Sequence, residues 1–504
     1  MARFFLMLDG VRILTLDDLK AHFKPLDALD RFRSGALQRW LAEQHLDDLL
    51  HKVEAIDEPS DDATIRALGT VFGLANDAEE SLGTLDEALC NAETDEEIKR
   101  LFDGPEGEHN LLRLEKLATE GNVDAQRQLA YMYGEGLCVP KDDKKAFQLF
   151  LRAAKAGDVV AQYDVGVMLQ EGEGTEQNYE NAFRWFLKAA NQGYADAQVE
   201  VGKTFWYGAG DTEDKTKAKE WFAKAAAQDN PEGLYWYGLA LNDSQNAHDH
   251  KEAVRAFKRA AELGDAEACN MLGNCYLEGD GMEKDVEKAA ELFREAAERG
   301  SADGMVSLGK CYYYGNGVNE DDVQAFKCFD KAVSEGCLEA ITLSGECYLY
   351  GHGVEEDEEM ALKFFLVAAE DGDRAAQRMA GRCYDEGWGT EVDYTNAAEW
   401  YQKATEQGDI EAQGYLGRLL LFGKGIEQDQ QLGYRMIRAA AEALGDAEFQ
   451  SAVGFCLEKG IGVAKDISEA AKWYKLAADQ GQEEAAKRYR ICTGQGGFFE
   501  TLFS

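Results

Sequence analysis

A motif that recurs about every 36 residues organises most of this chain. Its ten starts are separated by steps of 35, 36 or 37 residues, and each unit closes on a glycine or, once, on Asp229. The starts are Asn122, Asp158, Tyr194, Asn230, Asp265, Ser301, Cys337, Asp373, Asp409 and Asp446. Such a period is the signature of stacked supersecondary units, because each unit buries its apolar face against its neighbours. The repeat therefore predicts an extended array of similar units.

The unit that starts at Asp265 shows what one repeat folds into. Residues 268–276 carry small and apolar side chains at helical spacing, which predicts an amphipathic helix A. Gly279 and Gly281 follow, and glycine ends a helix at low cost because it adopts the left-handed conformation. Asp285 is suited to cap the next helix, and a second apolar stripe marks that helix B. Each unit is thus predicted to be a helix-turn-helix pair.

The repeated pattern resembles the Sel1-like repeat, a relative of the tetratricopeptide repeat. Residues 308–318 follow its first half, Leu-Gly-x-x-Tyr-x-x-Gly-x-Gly-Val, and residues 182–193 follow its second half, Ala-x-x-Trp-Phe-x-x-Ala-Ala-x-x-Gly. The resemblance extends over residues 122–481. It implies a mostly α protein, a right-handed α-solenoid of about ten helix-turn-helix repeats. It also implies an interaction scaffold, without specifying the partner.

The fourth unit departs from the pattern. It lacks the turn glycines and carries the sequence Leu-Asn-Asp-Ser-Gln-Asn-Ala-His-Asp-His at residues 241–250. Two histidines, His248 and His250, do not form a zinc site without further ligands. We interpret them as part of a solvated loop and expect this unit to be specialised.

The ends of the chain differ from the repeats. Residues 4–8 and 11–14 flank Asp9-Gly10, a pair that favours a type I′ hairpin turn, and helical stretches follow. The fold class therefore includes a small α+β N-terminal module. The predicted divisions are a hairpin-plus-helices module at 1–75, a helical linker at 76–110, the repeat solenoid with capping half repeats at 111–491, and a glycine-rich linker with an apolar C-terminal tag at 492–504.

Charge and apolar content restrict location and partners. Acidic side chains outnumber basic ones 95 to 53, which gives a formal net charge of −42. A field of that sign repels phosphates, so neither nucleic acid nor an anionic membrane is expected as a partner. Apolar runs fall short of the ~18–20 residues that span a bilayer, and residues 4–8 are too short for the core of a signal peptide. We therefore expect a cytoplasmic protein.

The cysteines follow the repeat rather than a metal-site spacing. Cys275, Cys311, Cys347 and Cys383 stand 36 residues apart, and Cys456 has the same position in its unit. Equivalent residues of stacked helices lie ~10 Å apart, whereas a disulfide needs Cα atoms within ~7 Å. We predict buried core residues. No cofactor, metal site or catalytic constellation is predicted, and the Gly-x-Gly pairs are turns rather than phosphate loops.

Aromatic residues are the candidates for partner binding. Tryptophans 185, 221, 400 and 473 share one helix B position and are predicted to lie in the core. Other aromatic residues lie off that pattern, several near the end of helix A, and such side chains are enriched at binding hot spots. The candidate residues are Trp206, Tyr207, Tyr235, Trp236, Tyr313, Tyr314, Tyr350 and Trp388, with Phe498, Phe499 and Phe503 in the C-terminal tag. For the tag, packing onto this chain, docking on a partner and membrane contact all stay open.

The leading functional hypothesis is a non-enzymatic scaffold or adaptor. Its acidic concave surface would bind a basic or amphipathic segment of a partner protein, with aromatic anchors supplying affinity and carboxylates steering the encounter. One alternative is an enzyme or effector activity in residues 1–110, with the repeats as substrate adaptor. The other alternative is a structural protein that self-associates through its caps and C-terminal tag.

Overall fold

A computed structural model gives the architecture of this chain. It describes residues 6–8, 11–13, 19–20, 28, 31–44, 46–56, 61–72, 74, 86–92, 94–102, 107–208, 213–244 and 246–494. The chain divides into two compact units, residues 1–236 and residues 237–504. Within each unit, helix pairs follow one another in tandem.

Among the described residues, the first unit begins with a pair of short antiparallel strands, and three helices follow. Strand β1 (Leu6–Leu8) pairs antiparallel with β2 (Val11–Ile13), which sets Leu6 opposite Ile13. The predicted turn at Asp9-Gly10 lies outside the described residues. Helices α1 (Ala36–Glu43), α2 (Asp47–Glu54) and α3 (Asp61–Phe72) follow. Trp40 on α1 is fully buried in one core with Leu6 and Ile13.

The repeats begin at α6, and each contains a helix A and a helix B. The first unit also contains α4 (Asp95–Phe102), α5 (Gly107–Thr119), α6 (Val123–Glu135), α7 (Asp143–Ala156), α8 (Val159–Glu171), α9 (Tyr179–Asn191), α10 (Ala195–Tyr207) and α11 (Lys215–Ala226). Helix α12 (Pro231–Asn242) contains the boundary between residues 236 and 237.

The second unit continues the same alternation. Its helices are α13 (Ala247–Glu262), α14 (Ala266–Glu278), α15 (Val286–Glu298), α16 (Ala302–Tyr314), α17 (Asp322–Ser334), α18 (Leu338–Tyr350), α19 (Glu358–Glu370), α20 (Arg374–Glu386), α21 (Tyr394–Glu406), α22 (Ile410–Phe422), α23 (Gln430–Leu444), α24 (Ala447–Lys459), α25 (Ile467–Asp479) and α26 (Glu483–Cys492). Repeats one to ten are the pairs from α6–α7 to α24–α25, which confirms the predicted array of helix-turn-helix repeats.

Local chemistry sets the bounds of each helix. The carboxylate of Asp265 accepts a hydrogen bond from the Ala268 amide at 2.6 Å and caps α14. Gly279 ends α14 with φ of 78°, a left-handed conformation that favours glycine. Asp285 caps α15 by accepting from the Lys288 amide at 3.0 Å. The helix end at Gly279 and the cap at Asp285, both predicted from the sequence, are therefore present in the fold.

One row of aromatic residues on the B helices fills the core. Its fully buried members are Phe186, Phe222, Phe257, Phe293, Phe329, Phe365, Tyr401 and Tyr474. The prediction that Trp185, Trp221, Trp400 and Trp473 lie in the core needs correction, because each is half-buried and precedes a buried ring by one residue. Consecutive residues project about 100° apart on a helix, so only one of the two faces helix A.

Lysine ammonium groups cover three of the half-buried tryptophans. The Nζ atoms of Lys188, Lys224 and Lys403 lie 3.7, 3.4 and 3.7 Å from the ring centroids of the tryptophans three residues earlier. Cation–π contacts of this kind stabilise an aromatic ring that is partly in water. These tryptophans therefore form the edge of the core rather than its centre.

Buried glutamines link successive repeats. Gln162 donates from Nε2 to the Ala154 carbonyl of the preceding repeat at 3.2 Å, and its Oε1 accepts from Gln192 Nε2 at 2.8 Å. The third, eighth and tenth repeats have the same pair of glutamines. In the fifth repeat Arg299 replaces one glutamine and donates to the Ala261 carbonyl at 2.8 Å. Directional bonds therefore join neighbouring repeats at this position.

The fourth repeat differs from the prediction made for its histidines. His248 and His250 lie in the first turn of α13, which Asn246 caps by accepting from the His248 amide at 3.0 Å. The interpretation of the pair as a loop was therefore wrong. His250 also contacts Asp280 through Nδ1 and the Ser244 carbonyl through Nε2, the latter at 2.5 Å.

Candidate partner-binding surface

The last residue of helix A is a solvent-exposed aromatic residue in four repeats. These residues are Tyr207, Tyr314, Tyr350 and Phe422, with exposed fractions of 68, 64, 49 and 48%. The next residue is in each case a glycine with φ between 67° and 69°. The same backbone geometry therefore presents all four rings at the end of helix A. The sequence-based prediction includes the three tyrosines and omits Phe422, although it has the same place in its repeat.

In the first unit, four of the predicted residues come together. We call Trp206, Tyr207, Tyr235 and Trp236 the unit 1 aromatic cluster. The Trp236 ring makes edge-on contacts with the other three rings. The distances between ring centroids are 5.9 Å to Tyr207, 6.4 Å to Trp206 and 5.7 Å to Tyr235. It also stacks on the buried Phe222 at 5.5 Å and 20°. The cluster thus runs from the core at Phe222 to the exposed ring of Tyr207.

Charged groups surround the unit 1 aromatic cluster. Trp236 donates from Nε1 to Glu232 Oε1 at 3.3 Å. Lys203 pairs with Glu232 and, at 2.8 Å, with Glu200. Desolvation lowers the pKa of Lys203, but its hydrogen bonds to the two carboxylates outweigh that effect and raise the pKa overall. The cluster therefore lies beside a fixed ionic network.

In the second unit, the predicted tyrosines lie beside a histidine. We call Tyr313, Tyr314, Tyr350 and Phe422 the unit 2 aromatic row. Tyr313 contacts Tyr314 at 4.9 Å and His352 at 5.2 Å between ring centroids, and Tyr350 lies 6.0 Å from His352. His352 Nδ1 is 3.3 Å from an Asp322 carboxylate oxygen. His352 therefore connects rings from the sixth and seventh repeats.

Trp388 is the last of the predicted partner-binding residues within the repeats, and its ring contacts an arginine. The Arg382 guanidinium carbon lies 4.7 Å from the Trp388 ring centroid and 5.7 Å from that of Tyr415. Arg418 lies 5.5 Å from the Tyr415 ring and pairs with Asp385 at 2.6 Å. These residues belong to the eighth and ninth repeats. Arg382 and Arg418 therefore place two cations on the A helices of an acidic chain.

Phe498, Phe499 and Phe503 lie outside the described residues. The periodic cysteines are buried, as predicted, and form no disulfide: Cys275, Cys311, Cys347, Cys383 and Cys456. Within the described ranges, no three His, Cys, Asp or Glu side chains are placed to hold a metal ion. None of the described helices has the length and apolar character needed to cross a membrane.

The family model for the Sel1 repeat matches ten consecutive segments that coincide with the helix pairs from α6 to α25. The segments are 123–158, 159–194, 195–230, 231–265, 266–301, 302–337, 338–373, 374–409, 410–443 and 447–482. The chain belongs to the Sel1 repeat family. Sel1 repeat proteins are generally non-enzymatic scaffolds for protein–protein interaction. The family resemblance inferred from the sequence is thus confirmed.

Solved structures and a curated protein are similar to this Sel1 repeat protein. A protective antigen of uropathogenic Escherichia coli displaying an SLR fold is 28% identical, with 78% of this chain and 92% of that chain covered and a TM-score of 0.47. A Sel1 repeat protein from Oxalobacter formigenes is 27% identical, with 65% and 95% covered and a TM-score of 0.45. Chitin synthase regulatory factor 3 of Schizosaccharomyces pombe is 51% identical over 51 residues, which are 10% of this chain and 5% of that protein.

Proposed function

We propose that this Sel1 repeat protein is a scaffold that binds a segment of a partner protein across the unit 2 aromatic row. The observation that carries the proposal is the recurrence of exposed rings at one position, the last residue of helix A. Large aromatic side chains in water are typical of binding hot spots. The fully buried rings of the repeats lie on the B helices, so the exposed rings at the ends of the A helices are not needed to fill the core.

The partner segment in this proposal is basic or amphipathic. The net charge of −42 attracts a basic segment over a distance of about a Debye length, ~8 Å at physiological salt. Apolar side chains of the segment would then pack on the exposed tyrosines and on Phe422. Charge would thus govern the encounter rate, and ring contacts would govern the dissociation rate.

The unit 1 aromatic cluster is a second contact surface in this proposal. Its outer ring, Tyr207, is supported by Trp236, which is itself held by Glu232 and Phe222. A ring fixed in this way loses little conformational entropy on binding, which favours a hot-spot role. In this proposal the cluster and the unit 2 aromatic row are separate sites.

The remaining parts of the proposal concern location and organisation. We place the protein in the cytoplasm, without catalytic activity. In this proposal an N-terminal module at 1–75 and a helical linker at 76–110 precede a solenoid at 111–491, and a glycine-rich linker with an apolar tag occupies 492–504. Helices α5 and α26 flank the ten repeats, which supports their role as capping half repeats.

A selection from a phage-displayed library of random dodecapeptides tests the proposal. The full chain is the bait, and the best peptide is then synthesised with both ends blocked. We expect the double variant Tyr314→Ala/Tyr350→Ala to bind it at least about 30-fold more weakly, because a hot-spot residue contributes about 2 kcal/mol. The control is Tyr179→Ala, a tyrosine with 61% exposure on a B helix. Equal affinity of the double variant and the wild type would contradict the proposal.

A further inference from the structure

Four A helices carry a cation at their ninth residue, and three of these cations form ion pairs with the next repeat. Lys203 pairs with Glu232, Lys310 pairs with Glu339 at 2.6 Å, and Arg418 pairs with Glu448 at 3.0 Å. Each carboxylate lies on the helix A that follows. The pairing is therefore a regular feature of neighbouring A helices.

Arg382, the fourth of these cations, does not form the equivalent pair. The carboxylate that corresponds to Glu232 and Glu339 in this place is Glu411, 29 residues later. Glu411 is bound instead by Arg378 Nη1 at 3.0 Å, and it also accepts from the Tyr415 hydroxyl at 3.3 Å. Arg378 thus forms the ion pair with Glu411 that the repeat pattern predicts for Arg382.

The Arg382 guanidinium is held by aromatic rings. Trp388 and Tyr415 lie 4.7 and 5.7 Å from its central carbon. In the part of the chain that the structure describes, no carboxylate oxygen lies within 4.0 Å of its nitrogens and no acceptor forms a hydrogen bond with it. Cation–π contacts stabilise the charge of a guanidinium, whereas its five N–H donors also need hydrogen-bond acceptors. Among the described residues, none accepts a hydrogen bond from these donors.

The position of Arg382 relates it to the unit 2 aromatic row. Tyr314 and Tyr350 end the A helices of the sixth and seventh repeats, Phe422 ends that of the ninth, and Arg382 lies on the A helix of the eighth. A segment that contacts rings on both sides must therefore pass the eighth repeat. The residue opposite Arg382 lies within the segment rather than at its end.

We propose that Arg382 binds the side-chain carboxylate of an aspartate or glutamate within the partner segment. This inference rests on the proposed function. A planar guanidinium forms two parallel hydrogen bonds to a carboxylate, a geometry that lysine does not reproduce. A singly charged carboxylate is favoured over a phosphate dianion, since the net charge of −42 repels a dianion more strongly. The partner segment thus combines an overall basic or amphipathic character with one acidic residue at this place.

The test uses the blocked peptide selected with the full chain. We expect Arg382→Gln to weaken its binding about 10- to 100-fold, the usual effect of losing a hydrogen-bonded charge pair. Changing the acidic residue of the peptide to its amide should weaken binding to the wild-type chain by the same factor as Arg382→Gln does. The same peptide change should not weaken binding to the Arg382→Gln variant any further. The control variant is Arg374→Gln, which removes an exposed arginine from the same helix and should bind like the wild type.

Other outcomes separate this inference from the proposed function. If Tyr314→Ala/Tyr350→Ala loses binding but Arg382→Gln does not, the carboxylate site is wrong and the scaffold proposal stands. If only peptides with a free carboxyl terminus bind, the assignment to an internal side chain is wrong. If no peptide is selected, both proposals fail. Arg382→Lys, which keeps the charge, should show an intermediate loss; binding equal to the wild type would overturn the bidentate geometry.

Discussion

Gly273 on α14 lies against the ring of Phe293 on α15, so closely that a Cβ added to Gly273 would stand 2.5 Å from the ring. The same relation recurs in other repeats: Gly166–Phe186, Gly202–Phe222, Gly238–Phe257, Gly309–Phe329, Gly345–Phe365, Gly381–Tyr401 and Gly454–Tyr474. Helix A and helix B therefore approach each other at a point where one side has no side chain. The other side places its largest core residue there.

Replacing Gly273 by alanine should destabilise the chain. Although alanine favours helix over glycine by about 1 kcal/mol, the new methyl group must displace a fully buried ring, which costs about 1–3 kcal/mol. We expect a lower urea midpoint, measured by circular dichroism. The control is Gly134→Ala on α6, where the nearest atom is 3.8 Å away. That variant should be as stable as the wild type or more so, and a similar loss in both would refute the packing argument.

The glutamine pair of the second repeat allows a second stability test. Gln162 is buried and makes two hydrogen bonds, whereas Gln192 is exposed and donates one of them. We expect Gln162→Leu to cost about 1–2 kcal/mol, because it also leaves the Ala154 carbonyl without this donor. Gln192→Leu should cost clearly less. Equal losses in urea unfolding would show that the bond to Ala154 contributes nothing.

The contact between His250 and Asp280 should make stability depend on pH. The hydrogen bond to the Ser244 carbonyl, together with Asp280, raises the pKa of His250 above its ordinary value. The resulting stabilisation is complete below about pH 6.5, the ordinary pKa of histidine, and is lost as pH rises through the folded-state pKa. We expect His250→Gln to lower the urea midpoint at pH 6 more than at pH 9. The control is His248→Gln, at an exposed site on the same turn. An equal change between pH 6 and pH 9 in both variants would contradict this role of His250.

The cysteines should divide into two reactivity classes. Burial raises the pKa of Cys275, Cys311 and Cys456 to about 11 and that of Cys347 and Cys383 to about 12, so these thiols stay protonated near neutral pH. Cys90 and Cys269 are also buried, whereas Cys138, Cys328, Cys337 and Cys492 are half-buried. We expect a thiol reagent at pH 8 to label the half-buried group first in the native chain, as mass spectrometry would show. Fast labelling of Cys383 would contradict the structure.

Phe422 should contribute to peptide binding as the tyrosines do. Its ring has the same helix position and nearly the same exposure as Tyr350. We expect Phe422→Ala to weaken binding of the selected peptide about tenfold, a typical loss of affinity at an aromatic interface residue. Leu444→Ala provides the control, since Leu444 is 46% exposed and lies on a B helix. If both variants bind alike, the helix-end position has no special role.

The array of repeats could be predicted because local chemistry determines where each helix begins and ends. Gly279 ends one helix in a left-handed conformation and the Asp285 side chain caps the next, and both roles could be predicted from the sequence alone. The face that a helix buries is harder to predict. Trp185 and Phe186 are both large and apolar, and only the packing against helix A decides that the phenylalanine is inside.

The candidate site shows the same limit. The tyrosines at the ends of helices A could be predicted because they fall outside the core pattern, but the prediction omitted Phe422 although it has the same register. The state of Arg382 could not be predicted at all. It depends on whether Arg378 or Arg382 reaches Glu411, a competition that is settled by distances between side chains in the folded chain.

Arg378 also bears on how such arrays acquire new specificities. Duplication of a repeat copies the cation and the carboxylate that pair between neighbouring A helices, so successive copies can form the same ion pair. One arginine at the fifth residue of helix A diverts the carboxylate and leaves its neighbour available, with no change to the buried rings. A repeat protein can therefore diversify its ligands by reassigning existing charges rather than by remodelling its scaffold.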